Sequence, residues 1–279
     1  MTSPPASVIV LTYNNRGLIE ACLASFCSAL LATSWEIIVV DNGSTDGTAK
    51  IVQTEWPEVQ VIRSDRNRGF AGGNNLGLRS AHGRVVILLN SDVIITAPTL
   101  QALAERLLSQ PEAGVLSPGL LTADGRPQAF AFGGDPTLSY LARRSLRALL
   151  GLGPLHNWNI QQPIETDWVS AACLCVRREI LEQAGLLDER FFLYFEDNDW
   201  CLRIRQAGWK IVYEPRLTAI HIGGASQPHR QIANRIYRQS LIAFYTKHYG
   251  LLNTILVRLL LIPYTLLIGI HSSQSTANK

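Results

Sequence analysis

Four short apolar runs, each closing on a polar cluster, set the limits on what this chain can fold into. Ser7 to Leu11, Glu36 to Val40, Val59 to Ile62 and Val85 to Leu89 are rich in Val and Ile. Such nearly uniform apolar runs suit strands buried on both faces. Between them lie helical spacings: Leu18, Ile19, Cys22, Leu23 and Phe26, then about Thr48 to Trp56, then Asn74 to Ala81. Alternating strands and helices of this kind imply an α/β fold, with a parallel sheet covered by helices on both faces. Three runs end in Thr12-Tyr13-Asn14-Asn15, Asp41 to Gly47 and Asn90-Ser91-Asp92. The carboxyl ends of strands are where open α/β sheets bind ligands, so these clusters are expected to share one crevice.

Beyond a helix at Leu100 to Leu108 the pattern becomes irregular. Gly114 to Thr122, Gln128 to Phe132, Trp168 to Val176 and Trp209 to Tyr213 read as strands, and Arg178 to Ala184 and Asp197 to Gln206 as helices. Leu141 to Leu150 is helical and basic; Arg143, Arg144 and Arg147 read there as a solvated face, with a membrane or phosphate contact as the second reading.

Composition bounds the rest. With 279 residues, 47% of them hydrophobic, the chain can bury a large core, which excludes a disordered protein. The net charge of +3 hides an asymmetry, because no acid follows Glu214 while seven Arg and Lys residues do, leaving −4 on the first 214 residues. A basic tail points to phosphate-bearing material. Leu251 to Ile270 is dominated by Leu and Ile but broken by Asn253, Arg258 and Pro263, which favours a membrane surface over nucleic acid. An interfacial helix, a span and a dimer-forming helix are the three readings of that stretch, the last allowing a homodimer. No secretory signal opens the sequence, so the expected place is the cytoplasmic face of the cell membrane. Cys22, Cys27, Cys173, Cys175 and Cys201 sit among apolar residues without zinc-finger spacing and read as core thiols.

Candidate chemistry is concentrated in Phe191 to Trp200, where Glu196, Asp197 and Asp199 follow an aromatic run. Crowded carboxylates beside apolar groups are costly to ionise, which suits a proton acceptor with a raised pKa; the bland alternative is a helix N-terminus favouring acids. Asp41 after its strand suits hydrogen bonds from a base or ribose, or equally an Asx-turn with Asn42. Arg68-Gly69-Phe70-Ala71-Gly72-Gly73-Asn74-Asn75 offers close backbone approach before a helix N-terminus. Asp92 suits a divalent cation held against a diphosphate, or a capping turn. His221 is either a metal or phosphate ligand or a packed structural residue.

In order, the Val8-to-Asn14 strand end, Val39-to-Gly47, Asn67-to-Asn75, Leu88-to-Asp92 and Tyr194-to-Asp199 together resemble the family 2 inverting glycosyltransferases of GT-A fold, closest to the rhamnosyltransferase-like branch. The resemblance covers about residues 7 to 226, leaving 227 to 279 as a basic, hydrophobic helical region. It implies that Thr12, Tyr13 and Asn14 line a nucleotide pocket and that Asp41, with Asn42, Ser44 and Asp46, faces the base or ribose. Arg68, Gly69, Phe70 and Asn74 would lie near the sugar diphosphate, beside Asn90 and Ser91. Asp92 would hold the cation, Mn²⁺ or Mg²⁺, with His221 joining it. Asp197 would be the general base, with Glu196, Trp168 and Tyr194 on the acceptor side. One departure stands out: Asn90 occupies the first position of the family's Asp-x-Asp motif, and an amide brings no charge to a cation.

The implied activity is transfer of L-rhamnose from dTDP-rhamnose, with inversion, to a hydroxyl of a polyprenyl-linked or cell-surface glycan. Another UDP- or dTDP-sugar is the alternative donor. A non-catalytic, membrane-associated nucleotide-binding protein is the alternative of another class. A nucleotidyltransferase would need a pyrophosphate-binding first loop rich in Gly, Arg and Lys, which Thr12 to Gly17 does not resemble.

Overall fold

The computed structural model describes residues 4–223 and 230–261. In chain order the elements are β1 (Ala6–Thr12), α1 (Arg16–Ala24), α2 (Cys27–Leu31), β2 (Glu36–Asp41), α3 (Thr48–Glu55), β3 (Gln60–Arg63), α4 (Gly69–Ser80), β4 (Val85–Asn90), β5 (Val93–Ile94) and α5 (Ala97–Ser109). They continue as β6 (Ala113–Leu121), β7 (Phe132–Gly133), α6 (Leu138–Leu149), β8 (Ile164–Glu165), β9 (Trp168–Val169), β10 (Cys173–Arg177), α7 (Ile180–Gln183), α8 (Glu196–Gln206), β11 (Lys210–His221) and α9 (Arg230–His248). A further helix covers 250–261.

The expected parallel sheet is present as β3-β2-β1-β4; β1, β2 and β4 are buried on both faces, while β3 is the partly exposed edge. Past β4 the sheet turns mixed: β10 runs antiparallel to both β4 and β6, and β11 returns parallel to β6. A strand as uniformly apolar as Cys173-Leu174-Cys175-Val176 carries no mark of its direction, so periodicity could not reveal this reversal.

Three expected elements differ in a way that shapes the site. Trp168 to Val176 is not one strand but two, in different sheets: Ser170 N still donates to Ala131 O beside the β7–β9 pair, Ala172 N turns to Ser170 Oγ, and from Cys173 the chain pairs with β4 and β6. Of the strand expected over Gln128 to Phe132, only Phe132–Gly133 forms, paired with β9. The strand expected to end at Tyr213 instead runs on to His221, crossing Glu214-Pro215-Arg216 by a register shift. Such an irregularity absorbs a proline without ending the strand.

The glycine-rich segment is not a loop either. It forms the first turns of α4, and Gly73 and Gly77 sit so close to Leu11 and Ile9 that a methyl group has no room. Those glycines let α4 press onto β1. The five cysteines are free and buried, as expected of core thiols.

A second apolar cluster lies outside the sheet core, where Leu241, Phe244 and Tyr245 of α9 and Val257 of the last helix bury Phe191 and Phe195, with Leu138 and Leu141 of α6 against them. The C-terminal helices therefore brace the segment that leads into α8. Among the described residues no helix is long and apolar enough to cross a membrane. Residues 262–270 of the expected apolar stretch lie outside the described residues.

Candidate active site

A cleft of about 940 Å³ opens at the carboxyl ends of β1 and β4. Thr12, Tyr13 and Asn14 from the end of β1, Asn90, Ser91 and Asp92 from the end of β4, and Asn42, Gly69 and Phe70 line one side. Trp168, Tyr194, Glu196 and Asp197 line the other, and His221 stands beside Asp92. Strand order thus gathers fourteen of the residues singled out in the sequence around one space.

The remaining five sit behind it. The Asp41 side chain is fully buried, accepting from Ser44 N at 3.1 Å and Arg63 Nε at 3.3 Å. Ser44 Oγ accepts from Asn14 N at 2.9 Å, while Asp46 accepts from Arg16 N and from Thr48 N, knitting the β1 and β2 loops together. Arg68 is turned to Ser64 and Asp65, and Asn74 donates to Phe70 O inside α4. Asn42 also spends its amide on the fold, accepting from Arg68 N and donating to Gly69 O.

The acidic wall starts with an unusual backbone. Tyr194 and Phe195 both have positive φ, 67° and 68°, and Asn14 and Phe130 elsewhere on the cleft share that conformation. Left-handed backbone at bulky side chains costs about 1–3 kcal/mol each and persists only where packing enforces it, which is common at active sites. Here the enforcing contact is the α9 cluster on Phe195 and Phe191. The kink starts α8 so that Glu196 and Asp197 face the cleft.

These two carboxylates are not equivalent. Burial pushes Asp197 up to about 6, against the opposing pull of hydrogen bonds from the backbone N–H groups of Asn198 and Ala171. Glu196 is pushed up further, first by burial and then by the charge of Asp197, and its Oε2 has no partner among the described residues. The neutral acid is therefore the favoured form of Glu196. Asn198 completes the frame: with its amide oriented to satisfy its neighbours, it donates to Asp197 Oδ1 at 3.2 Å and accepts from Trp168 Nε1 at 3.2 Å. Asp199 points away into the protein, to Arg203 Nε at 2.9 Å, Lys247 Nζ at 2.6 Å and His248 Nε2 at 2.7 Å.

Across the cleft, the long β11 pairs with β5 so that His221 is opposite Val93, the residue after Asp92. His221 Nε2 lies 3.3 Å from Asp92 Oδ1, and Nδ1 lies 2.9 Å from Gln128 Oε1. Either ring nitrogen can carry a proton: Nε2–H can donate to Asp92, and in the tautomer with Nδ1–H on the glutamine oxygen Nε2 turns its lone pair toward the carboxylate. Two acceptors facing one another suit a cation between them, since adjacent ligands of an octahedral Mg²⁺-sized ion are about 3 Å apart. Among the described residues no group of three or more His, Cys, Asp or Glu side chains could hold a metal. A cation held by this pair would need its other ligands from a bound diphosphate or water.

The sequence reading did not single out Asn198 or Gln128. Asn198 was hidden between the two acids it neighbours, and Gln128 fell in a segment read as strand, where an exposed glutamine signals nothing. The cleft walls supplied by Tyr140 and Arg144 of α6 and by Ile236 and Tyr237 of α9 were missed as well, because only packing brings them there.

The profile of Glycosyl transferase family 2 matches residues 7–128, the part that builds the β1, β2 and β4 side of the cleft. Over 234 residues the chain is 31% identical to the N-acetylglucosaminyl-diphospho-decaprenol L-rhamnosyltransferase of Mycobacterium tuberculosis, spanning 77% of this chain and 75% of that one. The chain belongs to glycosyl transferase family 2. It is a glycosyltransferase enzyme. A low-salt glycan biosynthesis hexosyltransferase of Haloferax volcanii is 26% identical over 236 residues, covering 83% of this chain and 71% of its own length. The fold is also that of a mannosyltransferase from Pyrobaculum calidifontis solved with GDP-Man and Mn²⁺, with a TM-score of 0.58 at 19% identity, over 99% of this chain and 81% of that one. The fold is thus GT-A-like, with a sheet resembling those of nucleotide-sugar binding enzymes, parallel over β3-β2-β1-β4 and mixed beyond it.

Proposed function

We propose that this glycosyltransferase moves a sugar from a nucleoside diphosphate sugar to a hydroxyl of a lipid-linked or cell-surface glycan, with inversion at the anomeric carbon. The observation that carries this reading is the Asp197 carboxylate, set in the cleft wall by Asn198 and raised by burial to about 6. A base near neutral pKa takes a proton from a hydroxyl most effectively at working pH. A single attack with no enzyme nucleophile inverts the reacting carbon.

The donor is bound on the β1 and β4 side in this reading. The Thr12 hydroxyl is buried there without a partner, which suits a polar ligand atom. Asp41, Ser44 and Asp46 hold the loop that shapes the nucleotide pocket rather than lining it. Asp92 and His221 hold a divalent cation, which offsets negative charge on the departing diphosphate. Asn90, in place of a carboxylate, leaves that site one charge weaker. Glu196, protonated, donates a hydrogen bond toward the acceptor, while the rings of Tyr194 and Trp168 offer apolar faces to a sugar. L-rhamnose from dTDP-rhamnose is the donor we favour, on the strength of the mycobacterial relative.

Slow hydrolysis of the donor tests this reading. The purified protein, incubated with a panel of dTDP-, UDP- and GDP-sugars with and without Mn²⁺ or Mg²⁺, is expected to release nucleoside diphosphate from dTDP-rhamnose fastest. Release from no member of the panel, under either metal, refutes donor binding as described.

A further inference from the structure

Outside the cleft the largest unexplained feature is apolar surface on two separate elements. On α6, Leu146, Leu149 and Leu150 recur at helical spacing on one exposed stripe, with Leu149 84% exposed and Leu152 following just beyond the helix. On the last helix, Leu251, Leu252, Ile255, Leu256, Leu259 and Leu260 are all exposed, Leu251 at 78%. Scattered exposed leucines need no explanation, but ten on two helices and the turn that follows α6 exceed what a free surface normally presents.

The two helices are neighbours. Leu138 and Leu141 of α6 and Val257 of the last helix pack into the same apolar cluster, and the leucine stripes lie on the faces turned away from it. The two helical segments themselves carry only positive charge. No Asp or Glu occurs from 136 to 164 or from 215 onward, whereas Arg143, Arg144, Arg147 and Arg258 lie within the exposed segments. Arg147 caps the carbonyls of Leu152 and Gly153, but Arg143 and Arg144 have no carboxylate partner among the described residues; Arg144 rests over the Phe130 ring at 5.2 Å. Leucines interleaved with unpaired arginines are the chemistry of a helix lying in the headgroup layer of an anionic bilayer.

We propose that α6 and the helix over 250–261 together form one docking face for an anionic lipid bilayer. Tyr140, Leu141 and Arg144 of α6 line the cleft as well, so this face sets the acceptor side of the cleft at the headgroups. The α6 half distinguishes the proposal from a simple C-terminal anchor: the tail alone would hold the protein at the membrane without fixing which way the cleft points. The orientation rests on the glycosyltransferase reading, while the docking itself does not.

Cosedimentation of the full chain with phosphatidylcholine vesicles, with and without phosphatidylglycerol, tests it. The native protein is expected to partition onto the anionic vesicles and to be released by salt. The double variant Leu149→Asp/Leu152→Asp, at two exposed positions outside the cleft, is expected to lose at least about tenfold in partition. Donor hydrolysis by that variant should be unchanged, which shows that it is folded and separates this test from that of the activity. Partition of the variant equal to that of the native protein overturns the proposal. So does a native protein that ignores vesicles but forms a dimer, seen by sedimentation velocity, which the double variant dissolves; the face is then a contact between two copies.

Discussion

Asp199 Oδ1 accepts a hydrogen bond from His248 Nε2 at 2.7 Å, and this contact fastens the helix that carries the proposed base to the helix that leads into the C-terminal region. The Asp199 carboxylate is fully buried and also meets Arg203 and Lys247. Replacing it by Asn keeps the volume but removes the only charge between three cationic or potentially cationic groups. Breaking a buried ion pair costs about 3–5 kcal/mol. The expected loss for Asp199→Asn is near the lower end, about 3 kcal/mol, because Lys247 keeps Asp188 and Arg203 keeps the carbonyls of Ala184 and Leu186. Urea denaturation measures it; an unchanged midpoint would mean that α8 and α9 are held by their apolar contacts alone.

Asp197→Asn separates chemistry from binding. The amide cannot take a proton, so turnover is expected to fall by about 10²–10⁴ while the donor binds almost as before. The native rate as a function of pH should lose its base below about 6, where Asp197 protonates. The stability of the same residue has the opposite tendency. Its folded pKa lies above the ordinary value for Asp, so its contribution is fully present below about pH 4 and is lost as pH rises through about 6. At pH 7.5 the charged carboxylate is therefore a burden, and Asp197→Asn should raise stability by about 1–3 kcal/mol. A variant both slower and more stable is the signature of a functional carboxylate; near-native turnover would remove Asp197 from the mechanism.

The parts legible in the sequence were those governed by local pattern. The runs at Val8, Ile38 and Val86 needed no partner to be read as buried strands, and the polar residues after them had to emerge at one sheet edge. Asp199 with Arg203 was legible too, since four residues on a helix bring the pair together. What local pattern could not show depended on contacts far apart in the chain. The approach of His221 to Asp92 needs β11 to run on through Pro215, past the Tyr213 where the strand was expected to end. Asp41 reads as a ligand at its strand end, and its carboxylate also accepts from Arg63 of β3 and the Ser44 amide. Gly73 reads as part of a phosphate-approaching segment, yet with Gly77 it lets α4 lie against β1, because the same residue serves close backbone approach to a ligand and close approach of a helix to a sheet.

His221 and Gln128 allow the cation site to be tested without turnover. Calorimetric titration of dTDP into the protein, with and without Mn²⁺, is expected to show a metal-dependent gain in affinity. His221→Ala should remove that gain. Gln128→Ala leaves both ligands in place but frees the imidazole to take the other tautomer, and the loss expected from such an outer partner is about 10–100-fold in metal affinity. Binding in plain buffer should be nearly unaffected by either change. If Gln128→Ala binds Mn²⁺ as the native protein does, the tautomer argument fails even where Asp92 and His221 prove to be ligands.

Gly69 shows how far a distant residue can reach into the acidic wall. Its φ is +73°, and a methyl group there would overlap the backbone of Phe192, with Phe192 Cα at 2.9 Å; Phe70 N donates to Phe192 O at 2.7 Å just beside it. Gly69→Ala must therefore push the 192–195 segment, whose left-handed Tyr194 and Phe195 aim the two carboxylates. Gly47 supplies the control, since its φ of +86° imposes the same backbone strain but nothing lies within 4 Å of an added methyl. Gly47→Ala is expected to cost about 1 kcal/mol through strain alone, and to leave turnover intact. Gly69→Ala should cost about 2–4 kcal/mol and also reduce kcat, because the displaced backbone carries the base with it. Equal destabilisation in the two variants, with kcat preserved in both, would show that the cleft wall yields without moving Asp197.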